Sequence, residues 1–145
     1  MSCELIQTGH LPPCSKQDLA VMDEVIDRVK QLPEVEIKID HFIHAGLYVR
    51  TCFIPAGCVI VGALIKIPTV VEVCGKCKVT VGTMTKLIDG YVVLKAEAGR
   101  RQAFLAIEDT YVTMTFPTKA KTVKEAEKEF TDEFELLTTN KGLRE

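Results

Sequence analysis

Six cysteines, three histidines and a pair of adjacent arginines are the side chains in this 145-residue sequence best suited to chemistry. Cys74-Gly-Lys-Cys77 has the spacing of half a zinc knuckle or of a redox pair. A structural zinc ion wants four ligands, and Cys52 and Cys58 have the wrong separation to supply the second half. A thioredoxin-type pair opens a helix, whose dipole lowers the thiol pKa. Gly75-Lys76 instead reads as a β-turn, so the expectation is a hairpin carrying two reduced thiols. Disulfides are not expected, since nothing points to a secretory context and the chain is not core-poor. His41 and His44 could share a face as ligands on a helix, but their strand-like surroundings make them a polar edge or rim. His41 with Cys52 or Cys58 would combine a base with a nucleophile, and no spacing supports that.

The cations are more useful. Arg50, Arg100 and Arg101 carry planar forks suited to phosphate or carboxylate, and Lys66 adds a point charge. If Arg100 and Arg101 lie on a strand they face opposite ways, so one at most turns inward. The remaining cations are expected in solvent or against Glu97, Glu108 or Asp109.

These residues must be positioned by the elements around them. Residues 1–14 lack periodicity and read as an arm ending in Leu11-Pro12-Pro13-Cys14. Ser15 followed by Asp18 is close to a capping box, and Leu19, Met22, Ile26 and Val29 then recur at helical spacing, which predicts an amphipathic helix over 15–32 stopped by Pro33. Val35, Ile37 and Ile39 alternate with charged residues, as on a half-buried strand. Short strands follow at 47–54, 59–65, 70–73, 78–81, 91–94, 102–107 and 111–116. They are rich in β-branched and aromatic residues and are punctuated by Pro55-Ala56-Gly57, Gly75-Lys76, Asp89-Gly90, Ala98-Gly99 and Glu108-Asp109. Such spacing predicts a sandwich or barrel rather than alternating strands and helices. Thr122 with Glu125 caps a last helix over 122–137, with Glu125, Glu127, Lys128 and Glu129 on a solvated face and 138–145 frayed.

Composition narrows the class. Apolar residues make up 47% and charged residues 26%, the balance of a folded globular chain, and 145 residues suffice for one domain spanning 1–145. A formal net charge of −2 does not point to nucleic acid polymer or anionic membrane. No apolar run reaches bilayer length and no signal-peptide pattern opens the chain, so a cytoplasmic protein is expected.

One stretch resembles a known family. Ile54-Pro55-Ala56-Gly57, then Gly62, positions 65 and 67, Glu72 and Gly75, resembles the first cupin motif. Gly90, then Glu97-Ala98-Gly99-Arg100-Arg101-Gln102, resembles the second. Together with the leading helix, His41-Phe42, Gly46 to Arg50 and the acidic tail, this looks like the small single-domain, RmlC-like cupins found in phage genomes, over roughly residues 35–130. The resemblance implies an all-β, antiparallel jelly-roll barrel over 35–117 with a helix at each end. It also implies a metal held by two histidines two apart, a carboxylate and a third histidine. Here those positions hold Ile65, Ile67, Glu72 and Gln102, so no metal, other cofactor or metal-dependent catalytic residue is expected.

The expectation is thus a non-catalytic, metal-free protein binding a small polar or anionic molecule, nucleotide-like ones included. Tyr48, Arg50, Ile65, Ile67, Glu72, Arg100, Arg101 and Gln102 would line its site. By analogy with phage proteins the role would be to sequester a host immune signal in the host cytoplasm. Two other readings stand beside it. One is a cupin-type enzyme with a displaced site, using Glu72 or the Cys74/Cys77 pair. The other is an interaction protein whose leading helix packs on a neighbouring subunit. A homo-oligomer is expected under all three.

Overall fold

The computed structural model describes residues 7–133 and 141–144, and one ten-stranded sheet dominates it. Its spine is a long antiparallel hairpin of β6 (Thr69–Val81) and β7 (Met84–Ala96), paired from Thr69 opposite Ala96 to Val81 opposite Met84. Gly82, at φ 62°, supplies the first central position of the two-residue turn. Along β6, Val71, Val73, Cys77, Val79 and Val81 are buried while the residues between them face outward, as the two-residue period of a strand requires.

This hairpin corrects the turns expected at Gly75-Lys76 and Asp89-Gly90. Gly75 and Gly90 face each other inside continuous strands, at φ 143° and 103°. At that point β6 exchanges one neighbour for another. Its residues 70–74 pair with β9 (Thr110–Pro117), and its residues 77–80 pair with β8 (Ala103–Ala106). The β8–β9 connection folds over the junction, where the Ile107 and Glu108 N–H groups and the Thr110 hydroxyl all donate to the Lys76 carbonyl. A Cβ at position 75 would lie 2.6 Å from the Asp109 carbonyl oxygen. The glycines therefore mark a close approach of backbones within a ribbon, not its end.

Beyond β9 come β4 (Leu47–Ile54) and β3 (Lys38–His44), joined by Ala45-Gly46 at φ 53° and 73°. Beyond β8 come β5 (Cys58–Val61), β10 (Lys141–Arg144) and β2 (Glu34–Glu36). The expected 59–65 strand thus stops at Val61, and 62–68 is irregular apart from a bridge at Ile65. Within the expected frayed tail, 141–144 is a strand and the remainder lies outside the described residues.

The sheet is mixed rather than purely antiparallel, because β1 (Gln7–Leu11) lies parallel to β7, from Gln7 opposite Val92 to Leu11 opposite Ala96. The expected arm is a strand because it buries Leu11 completely. Gly9 also leaves room for Leu94, whose Cδ2 would stand 2.9 Å from any Cβ there.

Two helices accompany the sheet. α1 (Lys16–Val29) opens on a complete capping box between Ser15 and Asp18 and buries Met22. It stops short of the expected Leu32, whose N–H closes a turn on the Val29 carbonyl. α2 (Val123–Phe130) opens on the Thr122 hydroxyl, which accepts from the Glu125 N–H. It buries Ala126 and Phe130 and ends where Thr131 turns extended, and positions 134–137 of the expected longer helix lie outside the described residues. No helix among the described residues is long and apolar enough to cross a membrane.

Candidate functional site

The eight residues expected to line one site divide among three centres and the outer face. At the first centre, the β3–β4 hairpin sets His41 opposite Arg50 and Ile43 opposite Tyr48. The Tyr48 hydroxyl lies 3.1 Å from His41 Nδ1 and accepts from Arg50 Nη1 at 3.3 Å, while the same guanidinium meets Glu127 of α2 at 3.5 Å. Phe116 and Phe130 pack on the Tyr48 ring, with centroids 5.1 and 5.8 Å away. Burial pushes the Tyr48 phenol above its ordinary value against the pull of Arg50, so it stays protonated at neutral pH and suits donation rather than base chemistry. Burial likewise raises the neighbouring Cys52 thiol. His41 is therefore no simple rim residue, and Glu127 is not on a solvated face. The hairpin register around Ala45-Gly46 is the sequence signal that joins 41 to 50.

The second centre is built on Arg100, which is fully buried. Its Nε donates to Gln102 Oε1 at 2.9 Å, Nη1 to the Glu97 carbonyl at 2.8 Å and Nη2 to the Thr69 hydroxyl at 2.7 Å. All three acceptors are uncharged. A guanidinium carries five N–H groups, so two remain beyond these bonds. Burial, the largest influence, pulls the Arg100 pKa down to about 10, which leaves it a cation at neutral pH. Over it lies the irregular segment 62–68. The Ile65 N–H donates to the Arg100 carbonyl at 2.8 Å, and the Ile65 carbonyl accepts from the Gly99 N–H at 2.7 Å. Ile65 is buried and Ile67 packs against the same core. Thr69, with nothing in its spacing to mark it, was not foreseen.

Arg101 forms the third centre. Nη1 meets Asp23 of α1 at 3.0 Å, and Nη2 meets both oxygens of Glu133, at 2.5 and 2.6 Å. Glu133 also accepts from the Leu64 N–H at 2.7 Å. Burial pushes the Glu133 carboxyl up, but the Leu64 N–H and Arg101 outweigh it and hold it below the usual carboxylate value. The expectation that one arginine at most turns inward fails because residues 100–102 precede β8, so strand alternation does not govern them. Nor do these cations pair with the carboxylates of Glu97, Glu108 or Asp109. Lys66, exposed beside the buried Ile65, meets Asp132 at 2.7 Å near the surface.

Glu72 does not belong to any of these centres. It lies on the outer face between the buried Val71 and Val73 and accepts from the Tyr91 hydroxyl at 2.9 Å. Cys74 is exposed and Cys77 is buried on opposite faces of β6, and burial pushes the Cys77 thiol up to about 11. Their odd spacing on one continuous strand keeps them from sharing a ligand. His41 and His44 also fall on opposite faces of β3. Among the described residues no three of His, Cys, Asp and Glu gather as a metal would need.

No family model matches the chain, and no curated protein matches it. Solved structures do. Those matched include cupins. Ectoine synthase from P. lautus is 14% identical, with a TM-score of 0.49 over 74% of this chain and 83% of that one. KdgF from Halomonas sp. is 14% identical, at 0.49 over 63% and 92%. A Cupin_2 domain of an XRE-family transcriptional regulator from Enterobacter cloacae is 5% identical, at 0.47 over 57% and 99%. At these identities the likeness concerns fold and leaves ligand and reaction open.

Proposed function

We propose that this cupin-like chain is a metal-independent binding protein for a small anionic molecule, with Arg100 as its anchor. The observation behind this reading is the state of that guanidinium: fully buried, charged, and met among the described residues by uncharged acceptors alone. The gap between about 10 and the ordinary arginine value corresponds to a cost on the order of 3 kcal/mol for keeping the cation inside. An anion reaching the two remaining N–H groups would offset that cost through charge-assisted bonds. Ile65 and Ile67 supply apolar wall and Gln102 and Thr69 polarity, as in small-molecule sites generally. Entry requires the 62–68 segment to swing aside. That movement must break the bonds of Gly62 to the Gln102 carbonyl and of Ile65 with Gly99 and Arg100, together with the Lys66 N–H to the Phe130 carbonyl, the Leu64 N–H to Glu133, and Lys66 to Asp132. Sequestration of a nucleotide-like host signal by a phage protein is the finer form of this reading.

Native mass spectrometry of protein purified without chelator tests it, followed by thermal-shift titration with inorganic phosphate, nucleoside monophosphates and dicarboxylates. A retained organic mass, or a rise in Tm with one of these anions that Thr69→Val weakens, supports the reading. Stoichiometric metal, or no response to any anion, overturns it. One arrangement favours an enzyme as second reading. The protonated Tyr48 phenol beside His41 and Arg50 could donate a proton to a bound substrate, and Tyr48→Phe would then abolish turnover while sparing affinity.

A further inference from the structure

We propose that the Arg100 centre selects a fully ionised terminal oxyanion, one carrying neither a proton nor a neighbouring ammonium, and that Gln102 sets this choice. The inference rests on the anion-binding reading and narrows it. The selection follows from which hydrogen-bonding groups remain once the guanidinium has taken its partners.

An arginine side chain only donates. The Gln102 side-chain oxygen must therefore face Arg100 Nε, as it does at 2.9 Å, and the amide NH2 is turned the other way. That NH2 bonds to no described residue. Arg101 Nε is the one enclosed side-chain nitrogen or oxygen left without a partner among the described residues, so Gln102 Nε2 is not sealed in. It meets solvent at the edge of a residue that is only 9% exposed. The Thr69 oxygen accepts from Arg100 Nη2 at 2.7 Å, and its own proton has no acceptor among the described residues. Nη1, bonded to the Glu97 carbonyl at 2.8 Å, and Nη2 each keep a second N–H.

The groups left over are therefore donors: amide, hydroxyl and guanidinium. The oxygens beside them are engaged by the guanidinium, and among the described residues no carboxylate joins them. Glu97 contributes its main-chain carbonyl, while its carboxylate lies at an exposed position 3.6 Å from His10. Asp23 and Glu133 are held by Arg101. A ligand oxygen without a proton satisfies such donors and is satisfied by them. A ligand hydroxyl in the same place finds no free acceptor, and leaving it unpaired costs on the order of tenfold in affinity. An ammonium beside the acid group would meet a buried cation and no carboxylate, which disfavours free amino acids. Sulfate and the dianion of a phosphomonoester share the required chemistry. Hydrogen phosphate, equal in charge but carrying a proton, does not. The terminal phosphate of a nucleotide-like ligand falls in the favoured class.

The test is isothermal titration calorimetry on the full chain with sulfate, methyl phosphate and inorganic phosphate at matched ionic strength. At about pH 8 all three are dianions, since a phosphomonoester loses its second proton near 6, and only inorganic phosphate still carries one. Sulfate, methyl phosphate or both should bind at least tenfold more tightly than inorganic phosphate, and which of them does so separates a sulfate site from a phosphoester site. Gln102→Glu keeps an oxygen on Arg100 Nε but replaces the amide donors with a carboxylate acceptor. It should weaken the favoured anion at least tenfold and inorganic phosphate less, so that the preference closes, with no loss of stability in urea. Equal binding of all three anions overturns the selection and leaves the anion-binding reading standing, as does a Gln102→Glu variant that weakens all three alike. Should that variant not fold, the wild-type preference decides alone. Binding of none of the three overturns the selection, and failure of dicarboxylates as well overturns the anion-binding reading with it.

Discussion

Arg100 and Arg101 are neighbours in the chain, both buried, and the fold treats their charges in opposite ways. Arg101 is clasped by two carboxylates from separate elements, Asp23 on α1 and Glu133 after α2. Arg100 faces a hydroxyl, a side-chain amide and a main-chain carbonyl. The first is an ion pair linking parts of the fold; the carboxylates at its rim still touch water. The second is an interior charge that no carboxylate meets directly, held by three short bonds to neutral acceptors. What separates them is therefore charge balance rather than burial, and charge balance is what distinguishes a structural clasp from a place where an anion could bind.

The largest effect should come from Arg100→Met. It leaves the Gln102, Thr69 and Glu97 acceptors buried without their donor, and even after relief of the interior charge about 3 kcal/mol of stability should be lost in urea unfolding. Arg101→Met frees Asp23 and Glu133 to hydrate, so about 1–2 kcal/mol is expected by the same measurement. Equal losses would erase the distinction between the two centres. A smaller and more specific effect is the pH response. Glu133 titrates below the ordinary carboxylate value when folded, so its contribution is complete above that ordinary value and is lost as pH falls through the lowered one. The stability gap between wild type and Arg101→Met should therefore close on acidification, while most of the gap to Arg100→Met persists, since its three hydrogen-bond acceptors are a hydroxyl, an amide and a main-chain carbonyl. Least of all, Lys66→Met should change stability by no more than about 0.5 kcal/mol, because its contact with Asp132 is an exposed pair.

Period-two alternation made most strands legible, and the β4 boundaries at Leu47 and Ile54 agree with the structure. The errors share a cause. Gly75 and Gly90 carry the local signal of a turn, and only the non-local β8–β9 connection turns it into a bend within a strand. Gln7–Leu11 has no periodicity of its own because its pairing depends on β7, far along the chain. At the site, residue type found the arginines and Tyr48. Orientation was beyond reach, since Glu72 follows strand alternation to the outer face whereas Arg100, Arg101 and Gln102 escape it. Glu127 reads as a surface carboxylate, and Asp23 and Glu133 carry no signal, because their partners lie at large sequence separation.

The β6–β7 ribbon also has a kinetic meaning. Its strands are consecutive and joined by two residues, so the entropy lost in closing it is small, and hairpins of this kind form within about 1–10 μs. β1 must instead find Val92 and its neighbours across more than eighty residues of chain. The ribbon is thus the natural scaffold on which β8, β9 and their neighbours accumulate, and β1 the natural latecomer. In native-state hydrogen exchange the β6 amides should report global unfolding, whereas those of β1 should exchange through a cheaper, partial opening.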